Sequence, residues 1–357
     1  MNHKHLILRS AAWSLSLALL GGCVGDGSSV GSSNDGDAGA VGQALAVDVS
    51  TDLAAFRASD RVLVEVTFTN DTDRPVRLLT WGETAADLLA DDVFEVTVDG
   101  ARARYVGPHY KLPTPRDADY TTLAPGDSLT RTADLADLYD LTRSGDYRIR
   151  YADAHAGAAA TLASGAVEVR VAGRALPRRD AELSPRSGGL AYNKCTVTQQ
   201  SGVVEALQSA SVMANGAATY LGGAASGTPR YTKWFGAFSN GGWSTAKGHF
   251  AAIKDALDNK PLTVDCGCKK TYFAYVYPDA PYKIYVCKAF WAAPVSGTDS
   301  RGGTLIHEMS HFTAVAGTDD HVYGQSGAAS LAASNPADAL DNADNHEYFA
   351  ENTPALQ

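Results

Sequence analysis

His307-Glu308-Met309-Ser310-His311 sets two imidazoles four positions apart with a carboxylate beside the first. Positions i and i+4 of a helix project from one face. His307 and His311 can therefore hold one Zn²⁺ while Glu308 stands beside the metal-bound water, which is a metallopeptidase signature. A catalytic zinc takes three protein ligands and leaves a fourth position open. The extended His-Glu-x-x-His-x-x-Gly-x-x-His pattern needs histidine at 317, where this chain has Gly317, so that class is excluded. Gly317 can turn the chain back towards the metal, and on distance alone Asp319, Asp320 and His321 are all candidate third ligands.

Those residues need elements to position them. The motif lies in an apolar run that turns helical at Thr304 and ends at Gly317, and helical spacing also marks Val203 to Gly222 and Gly248 to Leu257. Tyr272 to Tyr277 and Tyr282 to Cys287 are β-rich runs around Pro278-Asp279-Ala280-Pro281, a hairpin pattern. Trp234, Phe235, Trp243, Phe290 and Trp291 suit the core of this second half. Cys195, Cys266, Cys268 and Cys287 form an even set, which in an exported chain reads as two disulfides. A Cys266–Cys268 ring would be tight and strained, and the other two pairings stay open. A Cys-x-Cys zinc site lacks the usual spacing.

The chain has 357 residues, 45% of them hydrophobic and 20% charged, enough for a core and for two domains. Its 30 Lys+Arg against 40 Asp+Glu leave a formal charge of -10, which argues against nucleic acid or an anionic membrane as partner. Residues 1–22 have a basic start and a short apolar stretch, and Leu20-Gly21-Gly22-Cys23 matches a lipobox that would lipidate Cys23. The apolar stretch is too short to span a bilayer. Contact with a membrane would then come only through that anchor, and the chain leaves the cytoplasm as an outer-membrane lipoprotein or, after processing, an extracellular protein. Residues 23–45 read as a flexible tether. From 46 to 173, short alternating runs at Val62 to Phe68, Val93 to Val98, Tyr147 to Tyr151 and Val167 to Val171, bounded by turn residues, predict an all-β, immunoglobulin-like sandwich. His109 and His155 stand alone there and are expected at the surface. Residues 174–189, with Pro177-Arg178-Arg179 and Pro185-Arg186, read as an exposed linker open to proteolysis. Residues 190–357 form the catalytic domain.

The chain resembles the aspzincin metallopeptidases, the deuterolysin and peptidyl-lysine metalloendopeptidase family, whose pattern is His-Glu-x-x-His followed by Gly-Thr-x-Asp-x-x-Tyr-Gly. Gly317-Thr318-Asp319-Asp320-His321-Val322-Tyr323-Gly324 fills every fixed position. The match covers about 190 to 357 and includes a Tyr192-Asn193-x-Cys195 start. The resemblance implies an α+β, zincin-like domain, one Zn²⁺ per chain, Asp320 as third ligand, and Tyr323 as hydrogen-bond donor to the tetrahedral intermediate. Asp319 and His321 fall on variable positions. It also implies the disulfides Cys195–Cys266 and Cys268–Cys287.

Eight acidic residues and no Lys or Arg follow Arg301. Asn342 to Phe349 resembles the segment that lines the lysine pocket of peptidyl-lysine enzymes, and Asp344 and Glu347 lie three apart on one helical face. Two neighbouring carboxylates with no local cation would welcome an incoming ammonium. The expectation is a zinc endopeptidase acting on proteins or peptides on the N-terminal side of lysine, with Glu308 as general base. The same-class alternatives are generic deuterolysin-like specificity and Glu347 as third ligand. A different-class alternative is a lipid-anchored binding protein with a degenerate zinc helix.

Overall fold

The computed structural model describes residues 45–80, 89, 91–153, 162–177 and 189–357. Cys23 with its lipobox, the tether before Leu45, His155 and linker residues 178–188 lie outside the described residues. The described residues all belong to one compact unit. In chain order its N-terminal strands are β1 (Ala46–Ser50), β2 (Ala55–Phe56), β3 (Leu63–Thr69), β4 (Val76–Leu79), β5 (Phe94–Val98), β6 (Ala101–Arg102) and β7 (His109–Lys111). After them come β8 (Tyr120–Leu123), β9 (Ser128–Asp134), the short helix α1 (Leu135–Leu138), β10 (Gly145–Asp153) and β11 (Leu162–Val171).

A β1-β3-β9 sheet and a β2-β11-β10-β5-β6 sheet make up most of this region, with β4-β8 as a separate pair. Val64, Val66 and Phe68 alternate inward from β3 and share one hydrophobic cluster with Phe94, Val96 and Val98 of β5 and Tyr147 and Ile149 of β10. That alternation is the period-2 pattern of strands with one buried face.

The C-terminal half begins with β12 (Leu190–Asn193), α2 (Val197–Leu221), α3 (Pro229–Phe235), α4 (Asn240–Asn259), β13 (Leu262–Asp265), β14 (Ala274–Val276) and β15 (Lys283–Val286). It ends with α5 (Lys288–Ala292), α6 (Arg301–His311), α7 (Gly324–Ser334), α8 (Pro336–Asp341) and α9 (Ala343–Glu351). Helix α6 starts three residues before Thr304 and stops at His311, six short of the expected end at Gly317, because the chain must turn there to reach the site. Ser300 caps it, its hydroxyl accepting from Gly303 N at 2.9 Å. Ala206, Ala210, Ala214 and Ala217 form a buried small-residue stripe on α2, and Gly302 lets α6 approach it: a Cβ there would lie 2.7 Å from Ser209 Oγ. Disulfides join Cys195 to Cys266 and Cys268 to Cys287.

One strand crosses the boundary expected between the halves. The C-terminal sheet runs β12-β13-β15-β14-β7, so its last member comes from the N-terminal region. β7 pairs antiparallel with β14, Lys111 opposite Ala274, Tyr110 opposite Tyr275 and His109 opposite Val276. The secondary structure therefore does not divide cleanly at residues 174–189.

Candidate active site

Every residue of α6 from Gly302 to His311 is buried. After His311 the chain reverses through Gly317, whose φ of 63° falls where glycine is at ease. Thr318 N then bonds back to Ser310 O at 3.1 Å, and the Ser310 and Thr318 hydroxyls meet at 2.6 Å. The returning segment is tied to the start of α9: Asp319 N donates to Asp341 O at 2.7 Å and Ala343 N to Asp319 O at 3.0 Å. One loop thus brings Asp320 to the zinc helix and Asp344 beside it.

The two histidines are oriented through their Nδ1 atoms. His311 Nδ1 donates to Thr318 O at 2.8 Å, and His307 Nδ1 lies 2.8 Å from Asp344 Oδ1. Both Nε2 atoms then face Asp320, His307 at 3.3 Å from Oδ1 and His311 at 3.4 Å from Oδ2. Neither Nε2 makes a hydrogen bond, although both are buried. Two buried imidazoles converging on a carboxylate, His311 with its other nitrogen hydrogen-bonded and His307 with its other nitrogen beside Asp344, are a donor set suited to zinc. Glu347 approaches the opposite edge of the same ring, 3.6 Å from His307 Nδ1. Asp319 and His321 point elsewhere: Asp319 Oδ1 accepts from Asp320 N at 2.8 Å, and His321 Nε2 lies 3.0 Å from Asp341 Oδ2.

Burial pushes the Glu308 carboxyl well above the usual carboxylate range, as suits a group that must accept a proton. For Asp320 burial acts the same way, but His311 and His307 outweigh it and hold the carboxylate well below its ordinary range. Tyr323 is half-buried with its hydroxyl inside, in the field of Asp320, and burial raises that hydroxyl well above the usual phenol range. It therefore stays protonated and able to donate.

Asp344 and Glu347 are buried on α9. Gly303 makes room for the second of them, since a Cβ there would lie 2.9 Å from Glu347 Oε1 and closer still to Glu351. The expectation that no cation neutralises the pair is overturned. Lys111, its side chain 1% exposed, places Nζ 3.0 Å from Asp344 Oδ1, 2.8 Å from Glu347 Oε2 and 3.6 Å from Asp299 Oδ1. Burial works against the ammonium, but Asp344 and Glu347 outweigh it and raise its pKa well above the ordinary value. Asp344 is held down at about 2, burial being overcome by Lys111 and His307. Burial pushes Glu347 well above its usual range; Lys111 opposes this, and Glu351 and Asp344 add to it.

His109 is a second correction, because it is buried against the site instead of lying at the surface. Its ring stacks on His311 with centroids 4.7 Å apart, and Nδ1 lies 3.4 Å from Asp319 Oδ1. Donor atoms of His109, His311 and Asp320 fall within 4.8 Å of one another. His109, Lys111, Asp299 and Glu351 escape sequence reasoning. The first two sit in an unremarked strand far along the chain, and the others touch the pocket only through tertiary packing.

The chain is similar to several known proteins. The aspzincin family profile, described as lysine-specific metallo-endopeptidase, matches residues 220–351. An extracellular protease of Aeromonas hydrophila is 46% identical over 319 residues, covering 84% of this chain and 90% of the relative. A peptidyl-Lys metalloendopeptidase of Armillaria mellea is 36% identical over 310 residues, covering 82% and 87%. A solved zinc peptidase from Grifola frondosa matches 46% of this chain and 100% of its own at 44% identity, with a TM-score of 0.45.

Proposed function

We propose a catalytic scheme from one premise: the chain belongs to the aspzincin family of lysine-specific metallo-endopeptidases and is a zinc metalloendopeptidase. His307 Nε2, His311 Nε2 and Asp320 hold the zinc, a reading carried by the convergence of both ring nitrogens on one carboxylate. The chemistry zinc would supply there is polarisation of the scissile carbonyl and a lowered pKa for the attacking water. Glu308 takes the proton of that water and passes it to the leaving amine nitrogen. The Tyr323 hydroxyl donates to the oxyanion. Glu347 is not a ligand, because it meets the far nitrogen of His307.

The substrate is a protein or peptide cut on the N-terminal side of lysine. Asp344 and Glu347 form the pocket for that lysine, and the ammonium of Lys111 lying between them supports the assignment. A compact ammonium fits between two carboxyl groups where a broad guanidinium needs a forked site. Asp344 has a second task, since it also orients His307.

The N-terminal β-region, read as an immunoglobulin-like sandwich over 46–173, is a propeptide removed by cleavage within the 174–189 linker. Export follows the lipobox route, with Cys23 as lipid anchor until that cut frees residues 190–357. The test is digestion of a denatured protein by the processed enzyme, read by mass spectrometry. Peptides beginning with lysine, lost with chelator and regained with zinc, are expected. A spread of apolar N-termini would return the enzyme to generic deuterolysin-like specificity.

A further inference from the structure

The Lys111 ammonium marks where a lysine side chain comes to rest between α6 and α9, and the two carboxyls of α9 are not its whole surroundings. An ammonium carries three N–H donors. Asp344 and Glu347 face it from α9, and Asp299, in the loop that leads into α6, faces it with Oδ1 at 3.6 Å. That distance makes an ion pair without a direct hydrogen bond. The rings of Tyr348 and Phe273 also lie against Nζ, with centroids 5.5 and 5.4 Å away, inside the range at which a ring face attracts a cation.

Asp299 differs from the other two acids in exposure. Its side chain is 40% exposed while those of Asp344 and Glu347 are fully buried, so it stands on the solvent side of the pocket. Its position is nonetheless fixed. Oδ1 accepts from the Tyr348 hydroxyl at 2.6 Å, which ties it to α9. Its backbone N–H donates to Glu351 Oε2 at 3.2 Å, and the N–H and hydroxyl of Ser300 both donate to Glu351 Oε1, at 2.8 and 2.7 Å. The Asp299 φ of 51° lies in the left-handed region, which is costly for most residues other than glycine and recurs where a site demands it. A charged group held on such backbone, by a phenol whose ring also lies against the ammonium, has more to do than solvate a loop.

We propose that Asp299 is a further specificity-determining residue: its carboxylate, steadied by Tyr348, stands at the entrance of the lysine pocket and favours an incoming ammonium over an uncharged side chain of the same length. The proposal rests on the lysine-pocket reading above. Asp299 acts through its charge across a gap open to solvent, so its share of the preference is screened by salt, whereas the share of the buried Asp344 is not.

The test uses active, zinc-loaded enzyme recovered from expression of the full chain. It compares kcat/KM on paired peptides with lysine or norleucine after the scissile bond. Asp299→Asn removes the charge, keeps an oxygen for the Tyr348 hydroxyl and tolerates the left-handed backbone. At low salt it should lower the lysine-to-norleucine ratio by about two- to fivefold, the worth of a partly exposed ion pair. In about 1 M salt, where charges reach only about 3 Å, the ratios of variant and wild type should converge, while the loss in Asp344→Asn persists. Asp299→Gly, which suits the same φ and also removes the charge, serves where Asp299→Asn does not match the wild-type circular dichroism and thermal transition. A variant that loses activity equally on both peptides, or whose lost preference does not respond to salt, would make Asp299 a structural residue and overturn the proposal. A variant ratio equal to a wild-type ratio that favours lysine would overturn it too, leaving the pocket intact. A wild-type enzyme that cuts both peptides equally would instead overturn the pocket reading, and the role of Asp299 with it.

Discussion

His307 separates two buried acidic clusters, with Asp320 at its Nε2 edge and Asp344 and Glu347 at its Nδ1 edge. On the first side two imidazoles face the carboxylate, His307 Nε2 at 3.3 Å and His311 Nε2 at 3.4 Å. On the second side an ammonium from 233 residues away along the chain is already in place. Burying a carboxylate demands a compensating positive charge, and residues 302–357 contain no Lys or Arg to provide one. Each cluster therefore needs a cation from elsewhere in the chain or from outside it: in the proposed scheme a metal for the first, and for the second Lys111 or the lysine of a substrate.

The largest expected effect separates the two sides outright. Asp320→Ala should leave less than about a tenth of a zinc per chain and abolish hydrolysis, since a three-ligand site loses a ligand. Glu347→Ala should retain the metal. Zinc contents measured by mass spectrometry in the reverse pattern would exchange the roles assigned to the two clusters.

Next come the groups that act on the substrate at the Asp320 side. Glu308→Gln should keep zinc and lower kcat by about 10²–10⁴, because an amide cannot take the proton of water. Tyr323→Phe should fold, bind zinc and lose about 3 kcal/mol of transition-state stabilisation. Near-normal turnover in either variant would remove that residue from the scheme.

A finer contrast lies within the lysine pocket. Asp344 touches both Lys111 and His307 Nδ1, the latter at 2.8 Å, whereas Glu347 stands 3.6 Å from that nitrogen. Asp344→Asn should therefore reduce lysine preference by roughly 1.5–3 kcal/mol, the worth of a hydrogen bond to a charged group, and weaken zinc binding by about 10–100-fold. Glu347→Gln, farther from the ligand ring, should do less to zinc binding. Kinetics on lysine and norleucine substrates, with zinc titration of each variant, would show whether the two carboxyls differ as claimed.

The last effect lies away from both clusters and concerns stability in acid. His346, on the same helix as the pocket, is buried, with Nδ1 3.0 Å from Asn342 O and Nε2 2.9 Å from His249 Nδ1. Burial and His249 depress its pKa to about 3. The folded-state value lies below the unfolded one near 6.5, so the unfolded chain binds more protons as pH falls. Stability from this residue is intact above about pH 6.5 and declines towards pH 3, by at most about 1.4 kcal/mol per pH unit. Thermal melts from pH 7 to 4 should show a shallower decline in His346→Gln than in wild type, and parallel declines would rule out this source.

The zinc helix and the loop behind it were legible in sequence because their residues are close along the chain: a four-residue spacing fixes a helical face, and Gly317 marks the reversal. The β-rich first half could be read from alternation, as in Val62 to Phe68, since a strand with one buried face repeats every two residues. Lys111 could not be read, because a lone lysine in a three-residue strand carries no sign of a pocket that another part of the chain builds. His109 was misplaced for the same reason. The missing local cation was visible, but not the distant one that supplies it.

When β7 withdraws, the flank of β14 becomes an open row of backbone donors and acceptors, which are the same in every polypeptide. Such an edge grips any stretch of chain that can lie straight beside it, and folded proteins rarely offer one. Discrimination along the bound stretch then falls mainly to the one side chain that enters the acidic pocket. On the proposed lysine-pocket reading, a protease built this way takes unfolded or loosely folded chains as its food and is forgiving about their sequence, apart from a single lysine.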